Sequence, residues 1–506
     1  MSRGFRFAPP KASAMLESLR GLGYSPETAL ADTIDNSISA GATTVDVLFR
    51  WDRDNSYIAI VDDGRGMSTS ALESAMRLGD RDPLQHRNSG DLGRFGLGLK
   101  TAAFSQCRRL TVLSRDATLT DACFSWDLDI LNDAPDGDWR LLEGADEGSL
   151  SRLDSLPTNR PGTLVLWESL DRLVPPGTNE QDFLDTIDRV ERHLSMVFHR
   201  YLDGTRPRLK ITINSKPIRG WDPFIAGTST PSWSSPVERL QSGISECEVQ
   251  CFVLPHKDRL KTQEYDAAGG MSGWNAQQGF YVYRNERLLV AGSWLGLGSP
   301  RLWTKDEVHR LARIRLDFTN DADAEWKIDI RKSIAKPPHA MRARLTSLGE
   351  DTRRRARAVF AHRGTAQRRS SEAPIFEVWE SVISGGVTSY RVNREHPAVR
   401  AVLDSPLALD ANVETMLSVL ESTIPVQRIW LDTIEERTAP QSVSGEEVER
   451  IGPMLVIVYR SLLKRQYSPE GAKERLLRTE PFQRYPHLIA ELPAITDSHE
   501  VSSEES

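Results

Sequence analysis

Hydrophobic positions near the start of the chain recur with helical spacing. Leu30, Ile34 and Ile38 follow one another at intervals of four residues, which predicts one buried face of a helix. Ser25-Pro26 provides an N-cap residue and a proline at the first helical position, and Gly41 stands where a helix C-terminal glycine belongs. We therefore predict a helix that begins after Ser25 and ends before Gly41.

Strand-like patterns follow this helix. Residues 43–49 alternate apolar and polar positions, residues 57–61 favour β-structure, and the polar residues 52–55 fit a hairpin loop between them. A longer helix is predicted from Glu180 to about Leu202, because its apolar positions step by four and three residues. These positions are Phe183, Ile187, Val190, Leu194, Val197 and Tyr201.

Alternating segments continue beyond residue 205, and helical patterns dominate after residue 375. Strands are predicted at residues 209–214, 247–254, 280–283 and 314–318. Residues 375–490 are predicted to be mainly helical with some strand, with helices at 413–420 and 453–463. The polar segment at 364–374 is typical of a linker.

The composition of the 506-residue chain, 39% hydrophobic and 27% charged, fits a soluble globular protein of about three domains. It has no run of 18 apolar residues and no apolar signal core in its first ten residues, so we expect no membrane span. Four cysteines are too few for a disulfide framework, which favours a reducing, cytoplasmic location. Cys247 and Cys251 are interpreted as packing residues on a strand.

Positive charge is concentrated in one stretch, although the net charge of the chain is −7. Between Lys336 and Arg369, ten Lys and Arg residues stand against only Glu350 and Asp351. A solvated helix face and a contact with a nucleic-acid phosphate backbone are both open interpretations of this stretch.

Three short motifs stand in fixed order within the first 100 residues. They read Asp32-Thr33-Ile34-Asp35-Asn36, Asp62-Asp63-Gly64-Arg65-Gly66 and Gly93-Arg94-Phe95-Gly96-Leu97-Gly98-Leu99-Lys100. Each alone is common, but together and at this spacing they resemble the ATP site of the GHKL superfamily. That superfamily includes gyrase B, the heat-shock chaperones, histidine kinases, MutL and MORC proteins.

The first motif combines a carboxylate with an amide. Asp32 and Asn36 are four residues apart and therefore share one face of the predicted helix. The resemblance implies that Asn36 binds Mg²⁺ through its amide oxygen and that Asp32 is the general base. Most members carry glutamate there, so the carboxylate of Asp32 is set back by about 1.5 Å, which favours slow hydrolysis or a pure ATP-binding switch. Asp35 is assigned a secondary, water-mediated contact with the nucleotide.

The second motif follows a predicted strand. Asp62 can accept a hydrogen bond from the adenine amine, and Gly64 and Gly66 let the backbone approach the base. Met67 completes this motif. Gly162-Thr163 resembles a fourth family motif, in which the threonine supports the adenine pocket.

The third motif precedes a predicted helix. Its glycines expose backbone N–H groups to phosphate, the helix N-terminus adds a favourable dipole, and Lys100 can add a charge. The polar segment from Gly79 to Asp91 matches the ATP lid of this superfamily. The phosphate-binding residues assigned here are Gly93, Arg94, Phe95, Gly96, Leu97, Gly98 and Lys100.

The β-rich region resembles the transducer domain of MutL, MORC and the chaperones, an α+β unit of ribosomal-protein type. Residues 279–289 look like its strand-loop-strand element. In such proteins a transducer lysine reaches the γ-phosphate of ATP. We assign this role to Lys332, with Lys336 as the second candidate.

The predicted fold class is α+β: a Bergerat-fold ATP-binding α/β sandwich, a ribosomal-protein-like transducer domain and a mainly helical C-terminal domain. The predicted boundaries are 1–204 for the ATP-binding domain, 205–362 for the transducer, 363–374 for the linker, 375–496 for the C-terminal domain and 497–506 for a disordered, Ser- and Glu-rich tail.

The expected function is Mg²⁺-dependent ATP binding and slow hydrolysis that drives lid closure and homodimerisation. This is an ATP-gated clamp of MORC/MutL-like type, with a role in bacterial DNA transactions or phage defence. A DNA backbone contact through Lys336–Arg369 is one of the two open interpretations of that stretch, and we expect an unidentified protein partner of the C-terminal domain. The alternatives are a non-hydrolysing ATP-binding scaffold and a chaperone-like protein. A histidine kinase is disfavoured because no histidine precedes Asp32.

Overall fold

The computed structural model describes residues 10–79, 92, 98–134, 138–203, 207–227, 230–243, 245–323, 325–329, 332, 334–361, 376–384, 387–404, 410–424 and 445–493. The chain divides into two units, Met1–Thr365 and Ala366–Ser506. The first unit contains two β-sheets, each with its own hydrophobic core. This mixed architecture confirms the α+β class. The predicted linker and tail lie outside the described residues.

The first sheet and its helices form what we call the first domain. Its strands are β1 (Thr44–Arg50), β2 (Tyr57–Asp62), β3 (Arg109–Arg115), β4 (Asp121–Asp127), β5 (Leu142–Glu143), β6 (Gly162–Glu168), β7 (Lys210–Ile213) and β8 (Lys216–Pro217). In the described part of the chain they pair in the order β5-β4-β3-β6-β2-β1-β7-β8. The β1–β7 pair is parallel, and the other neighbours are antiparallel.

Most of its helices pack on one face of this sheet, and a short helix lies against the other face. The helices are α1 (Ala12–Arg20), α2 (Pro26–Ser39), α3 (Thr69–Met76), α4 (Gly98–Phe104), α5 (Leu128–Asn132), α6 (Leu150–Leu153), α7 (Glu180–Val197) and α8 (His199–Leu202). The larger core joins Leu30 of α2, Phe104 of α4 and Phe183 of α7 to the sheet. A smaller cluster places Leu153 of α6 against Leu164 of β6.

The local predictions for α2 and its neighbouring strands are confirmed. Ser25 caps α2 by accepting a hydrogen bond from the backbone N–H of Thr28, and Gly41 follows the helix with a φ of +78°. The β1 strand buries alternate residues, and a short 3₁₀ turn, Arg53–Asn55, connects it to β2. The helix that carries the first motif is therefore determined by its own sequence.

Two sequence assignments need correction. The strand predicted at 209–214 exists, but it pairs in parallel with β1 and extends the first sheet beyond residue 204. The helix predicted to run to Leu202 ends at Val197, because Phe198 leaves the helical conformation (φ −105°, ψ 15°) and a separate helix, α8, begins at His199. Tertiary pairing and a buried aromatic residue override the local pattern in these two places.

The second sheet and its helices form the second domain. Its strands are β9 (Trp233–Ser234), β10 (Glu238–Ser242), β11 (Ser245–Val253), β12 (Gly279–Arg284), β13 (Arg287–Ser293) and β14 (Ala312–Phe318). Among the described strands the order is β10-β11-β14-β12-β13, with β9 paired to β11, and β12 runs parallel to β14. Its helices are α9 (Thr262–Ala268), α10 (Gly273–Ala276) and α11 (His339–Ala361).

Packing in the second domain agrees with the sequence analysis. The β12–β13 hairpin confirms the strand-loop-strand element predicted at 279–289. Cys247 and Cys251 are buried, free cysteines of β11, as expected for packing residues. Met341 and Leu345 of α11 join the same core, so the long basic helix lies against this sheet.

The second unit contains a small β-hairpin and several helices. These elements are β15 (Trp379–Ser384), β16 (Val387–Val392), α12 (Pro397–Leu403), α13 (Asp410–Ser422), α14 (Gly445–Lys464), α15 (Pro469–Leu476) and α16 (Pro486–Ala490). Tyr459 of α14 and Phe482 belong to its own core. The predicted helices near 413–420 and 453–463 are confirmed. No helix within the described ranges combines the length and apolar character needed to cross a membrane.

Candidate nucleotide site

The α2 helix carries the residues of the first motif on two faces. Asp32 and Asp35 are buried, whereas Asn36 is exposed. The Asn36 side-chain nitrogen donates to the Asp32 carbonyl oxygen at 3.2 Å, which orients the amide and leaves its oxygen as the atom that suits a hard cation. Asp32 accepts a hydrogen bond from the Tyr24 hydroxyl at 2.9 Å.

Asp62 lies at the end of β2 in a buried, polar position. The Ser37 hydroxyl donates to one carboxylate oxygen at 2.7 Å, and the Gly64 N–H donates to the other at 2.9 Å. Burial raises the pKa of the Asp62 carboxyl above its ordinary value, despite the opposing effect of these two hydrogen bonds. A buried carboxyl held in a fixed orientation at a strand end is suited to pair with a hydrogen-bond donor such as an amine.

The glycines of the second motif are required by close backbone approach. A Cβ at Gly64 would lie 2.8 Å from the Cβ of Ala40. At Gly66, where φ is +64°, a Cβ would lie 1.8 Å from the Arg115 carbonyl oxygen. The turn after β2 therefore fits only without side chains at these two positions.

Polar side chains on the adjacent strands line the same end of the sheet. Thr163 of β6 is paired with Asp62 in the strand register, and its hydroxyl lies 2.9 Å from the hydroxyl of Ser114. The Met67 N–H donates to the Ser114 oxygen at 2.9 Å. Asp62, Met67 and Thr163, which the sequence assigned separately, are thus brought together. Sequence reasoning missed Ser114, which has no motif of its own.

A lysine of the second domain reaches α2. The Lys332 ammonium nitrogen lies 2.5 Å from Oδ2 of Asp35 and 3.2 Å from Oδ1 of Asp32. Lys336, the second candidate for this role, is exposed. Of the two candidates, Lys332 is therefore the one that the structure brings to the first motif.

Arg287 of β13 is a second cation at this position, and no sequence motif indicated it. Its Nε lies 3.2 Å from both oxygens of Asp35, and its Nη2 lies 3.6 Å from Oδ1 of Asp32. Burial alone would raise the pKa of Asp35, but Arg287 and Lys332 outweigh burial and hold it below its ordinary value. Asp32, Asp35, Arg287 and Lys332 together are called the four-charge cluster below.

The same hairpin contacts the chain next to the third motif. The Arg284 guanidinium donates to the Leu92 carbonyl oxygen at 3.0 Å and pairs with Asp323 at 2.7 Å. The Leu92 N–H donates to the Ser39 hydroxyl at 3.2 Å. The second domain is therefore bonded both to α2 and to the residue that precedes the glycine-rich motif.

The third motif is described only from Gly98 onward. Residues 80–91 of the expected lid and Gly93, Arg94, Phe95, Gly96 and Leu97 lie outside the described residues. Gly98 begins α4, and Lys100 is buried within it. The Lys100 ammonium donates to the Ala75 and Arg77 carbonyl oxygens at 2.8 and 2.6 Å. In this conformation Lys100 thus connects α4 to the end of α3, a contact that its motif did not indicate.

Most described arginines of α11 contact their own domain. Arg344 pairs with Glu238 at 2.6 Å, and Arg353 lies over the rings of Trp294 and Trp303. Arg355 lies over Trp233 at 4.4 Å from the ring centroid. The basic stretch is therefore partly structural. Three further cations of the stretch, Arg363, Arg368 and Arg369, lie outside the described residues.

These features define a class of domain: a helix with an Asp-Asn motif beside a sheet edge that carries a buried aspartate and two obligatory glycines. The family model described as "Histidine kinase-, DNA gyrase B-, and HSP90-like ATPase" matches residues 24–159. The match covers the first three motifs and supports a GHKL-type ATPase domain, a type that binds and hydrolyses ATP, in this part of the chain. The search of curated proteins gave no match.

The residues present fit a magnesium nucleotide. Asn36 offers one amide oxygen next to the buried carboxylate of Asp32, and Mg²⁺ in nucleotide sites commonly takes few protein ligands. Within the described ranges no group of three or more His, Cys, Asp or Glu side chains is placed to hold a metal ion.

Proposed function

We propose that this chain binds Mg-ATP in its first domain, hydrolyses it slowly, and passes the nucleotide state to its second domain. The observation that carries the proposal is the position of Lys332, whose ammonium lies against Asp35 and Asp32 of α2. A cation of one domain buried beside the metal and base positions of another supports a contact with the terminal phosphate.

Each motif residue has a role in this proposal. Asp62 accepts the adenine amine, Gly64, Gly66 and Met67 shape the pocket, and Thr163 supports it. Asn36 holds Mg²⁺, and Asp32 orients and deprotonates the attacking water. The glycine-rich motif from Gly93 to Lys100 binds the phosphates.

At the level of the molecule, we propose an ATP-gated clamp of MORC/MutL-like type that dimerises through its N-terminal domains. The contacts of Arg284 and Arg287 with the first domain support coupling between nucleotide and transducer. We further propose that the clamp acts on DNA, in DNA transactions or phage defence, and that the C-terminal unit binds a protein partner.

A non-hydrolysing ATP-binding scaffold is the second candidate. It is favoured by the short side chain at position 32 and by the contacts of Asp32 with Tyr24 and Lys332. These contacts occupy the carboxylate that hydrolysis needs for water.

Nucleotide binding is tested first. Asp62→Ala should weaken Mg-ATP binding about 5- to 150-fold, because loss of a buried partner costs about 1–3 kcal/mol. Asn36→Ala should also weaken it, because the proposed metal loses its amide ligand. Calorimetry on folded variants measures this. If Asp62→Ala binds Mg-ATP with wild-type affinity, the proposed nucleotide site is contradicted.

Turnover is tested separately. Asp32→Asn should retain ATP and lose hydrolysis, because an amide cannot accept the proton of water, and Asp32→Glu should keep or raise the rate. Phosphate release measures the turnover of both variants. Equal turnover of wild type and Asp32→Asn would favour the scaffold.

A further inference from the structure

The four-charge cluster is buried and electrically balanced. Asp32 and Asp35 of α2 face Arg287 of β13 and Lys332, and each of the four residues is no more than 8% exposed. Because two carboxylates oppose two cations, any movement of one member leaves a buried charge with fewer partners. The balance therefore determines how easily Lys332 can turn toward a ligand.

Lys332 is held more closely by Asp35 than by Asp32. Its ammonium lies 2.5 Å from Asp35 and 3.2 Å from Asp32. Its backbone has a φ of +53°, a conformation that non-glycine residues rarely adopt and that points to a constrained position. A phosphate group that approaches Lys332 competes first with the Asp35 carboxylate.

Arg287 is placed to remain with Asp35 when Lys332 turns away. Its Nε is 3.2 Å from both Asp35 oxygens, and its Nη1 donates to the Leu288 carbonyl oxygen at 3.0 Å. With Arg287 in place, Asp35 stays paired after the lysine leaves. Without it, departure of Lys332 would leave a buried carboxylate alone, which is strongly unfavourable.

We propose that Asp35 and Arg287 set how strongly the chain prefers ATP over ADP, Asp35 by competing with the γ-phosphate for Lys332 and Arg287 by weakening that competition. This proposal rests on the proposed function, in which Lys332 contacts the γ-phosphate. Both are positioning residues, since they act through the lysine. Asp35 accordingly has a different role from the secondary, water-mediated nucleotide contact expected from the sequence.

The test compares affinities for two nucleotides. Calorimetry on the full chain measures Mg-ADP and a Mg-bound non-hydrolysable ATP analogue. Asp35→Asn should raise the ATP-over-ADP ratio roughly tenfold, and Arg287→Gln should lower it by a similar factor, the size expected for one charged hydrogen bond. A purely structural role would change both affinities together and leave the ratio at the wild-type value, which overturns the proposal.

The dependence on Lys332 is checked by a double-mutant cycle. Lys332→Met should reduce the ratio toward one, and adding Asp35→Asn to Lys332→Met should change it no further. An effect of Asp35→Asn on the ratio that persists without Lys332 rules out competition for the lysine. A lower ATP-over-ADP ratio in the single variant Asp35→Asn would also rule out this competition, because it would mean that Asp35 assists phosphate binding.

Folding is controlled with a charge-balanced variant. Asp35→Asn leaves two cations with one carboxylate, so Asp35→Asn combined with Arg287→Gln restores neutrality and should also raise the ratio. Thermal unfolding identifies the variants fit for comparison. If Asp62→Ala abolishes binding of both nucleotides while the balanced variant keeps the wild-type ratio, this proposal fails and the proposed function stands. If Asp62→Ala binds both normally, the proposed function itself fails.

Discussion

Asp32 and Asp35 lie less than one helical turn apart on α2, yet their surroundings differ. Asp35 is enclosed by Arg287 and Lys332, whereas Asp32 also accepts a hydrogen bond from Tyr24. Burial and the charge of Asp32 raise the pKa of the Tyr24 hydroxyl, so this group stays protonated and donates. Tyr24 therefore fixes the orientation of the carboxylate that we propose as base.

Removal of this hydroxyl should affect turnover more than binding. In Tyr24→Phe, Asp32 loses a neutral hydrogen-bond donor worth about 1 kcal/mol, so we expect kcat to change by about fivefold with less than a twofold change in ATP affinity. Steady-state phosphate release and calorimetry separate the two. An equal effect on both quantities would indicate a general packing defect.

Gly66 offers a test of the close approach after β2. Gly66→Ala places a Cβ 1.8 Å from the Arg115 carbonyl oxygen, so we expect a loss of unfolding free energy of about 3 kcal/mol or more. Gly41→Ala is the matched control, since Gly41 also has a positive φ but no atom within 4 Å of the added Cβ, and it should cost about 1 kcal/mol. Urea denaturation measures both. Equal losses would mean that backbone strain alone acts at Gly66.

At the scale of elements, α8 joins the two domains of the first unit. His199 lies 2.9 Å from the Tyr283 hydroxyl of β12, and the Arg200 guanidinium lies 3.4 Å from the centre of the same ring. Arg200 also pairs with Asp317 of β14. The break at Phe198 thus precedes the short helix that carries these interdomain contacts.

Burial lowers the pKa of His199 to about 4; Asp222 opposes this shift and Arg200 adds to it. The native pKa lies below the unfolded value of about 6.5, so the unfolded chain binds more protons between these values. We predict that stability decreases as the pH falls from 6.5 to 4 and that His199 accounts for up to about 3 kcal/mol of the decrease.

His199→Gln should remove this part of the pH dependence while retaining a hydrogen-bonding group toward Tyr283. Urea denaturation at pH 7, 6, 5 and 4.5 gives the unfolding free energy of both proteins. Parallel curves for wild type and His199→Gln would place the pH dependence in other groups.

At the scale of the whole molecule, the arginines of the basic stretch include some that pack against the second domain and others that are exposed on α11. Arg353 and Arg355 are engaged with tryptophan rings of the second domain, so their removal would damage the fold and confuse a binding assay. Arg354 and Arg357 are exposed on α11 and are better probes of an external anion.

If ATP-driven dimerisation brings two α11 helices to one DNA duplex, binding should require an ATP analogue and weaken steeply with salt. Arg354→Ala with Arg357→Ala should reduce the salt slope, by up to about 0.9 for each phosphate that the variant no longer neutralises. Arg50→Ala with Arg192→Ala is the control of equal charge, because both arginines are exposed in the first domain. Light scattering tests dimerisation, and retention of DNA tests binding. A nucleotide-independent monomer that ignores DNA at low salt would contradict both.

The sequence alone determined the local elements of the first domain. Helix α2, strands β1 and β2 and the turn of Gly64 and Gly66 followed from periodicity, capping and glycine positions, because these signals act between residues close in the chain. Asp62 and Thr163 were likewise singled out from local patterns, and Asp62 lies at the end of the strand predicted before it. Their roles in the site stay predictions. The family match to residues 24–159 agrees with the motifs quoted from the same region.

Only the tertiary structure decided which distant groups meet. Pairing of β7 with β1 placed a predicted transducer strand in the first sheet, since strand patterns do not specify their partner. Arg287 is 252 residues from Asp35, and a single arginine in a hairpin carries no motif, so its role could not be predicted. Local patterns thus placed the motif residues on α2 and after β2, whereas folding brought Arg287 and Lys332 to them, because long-range electrostatic partners depend on topology.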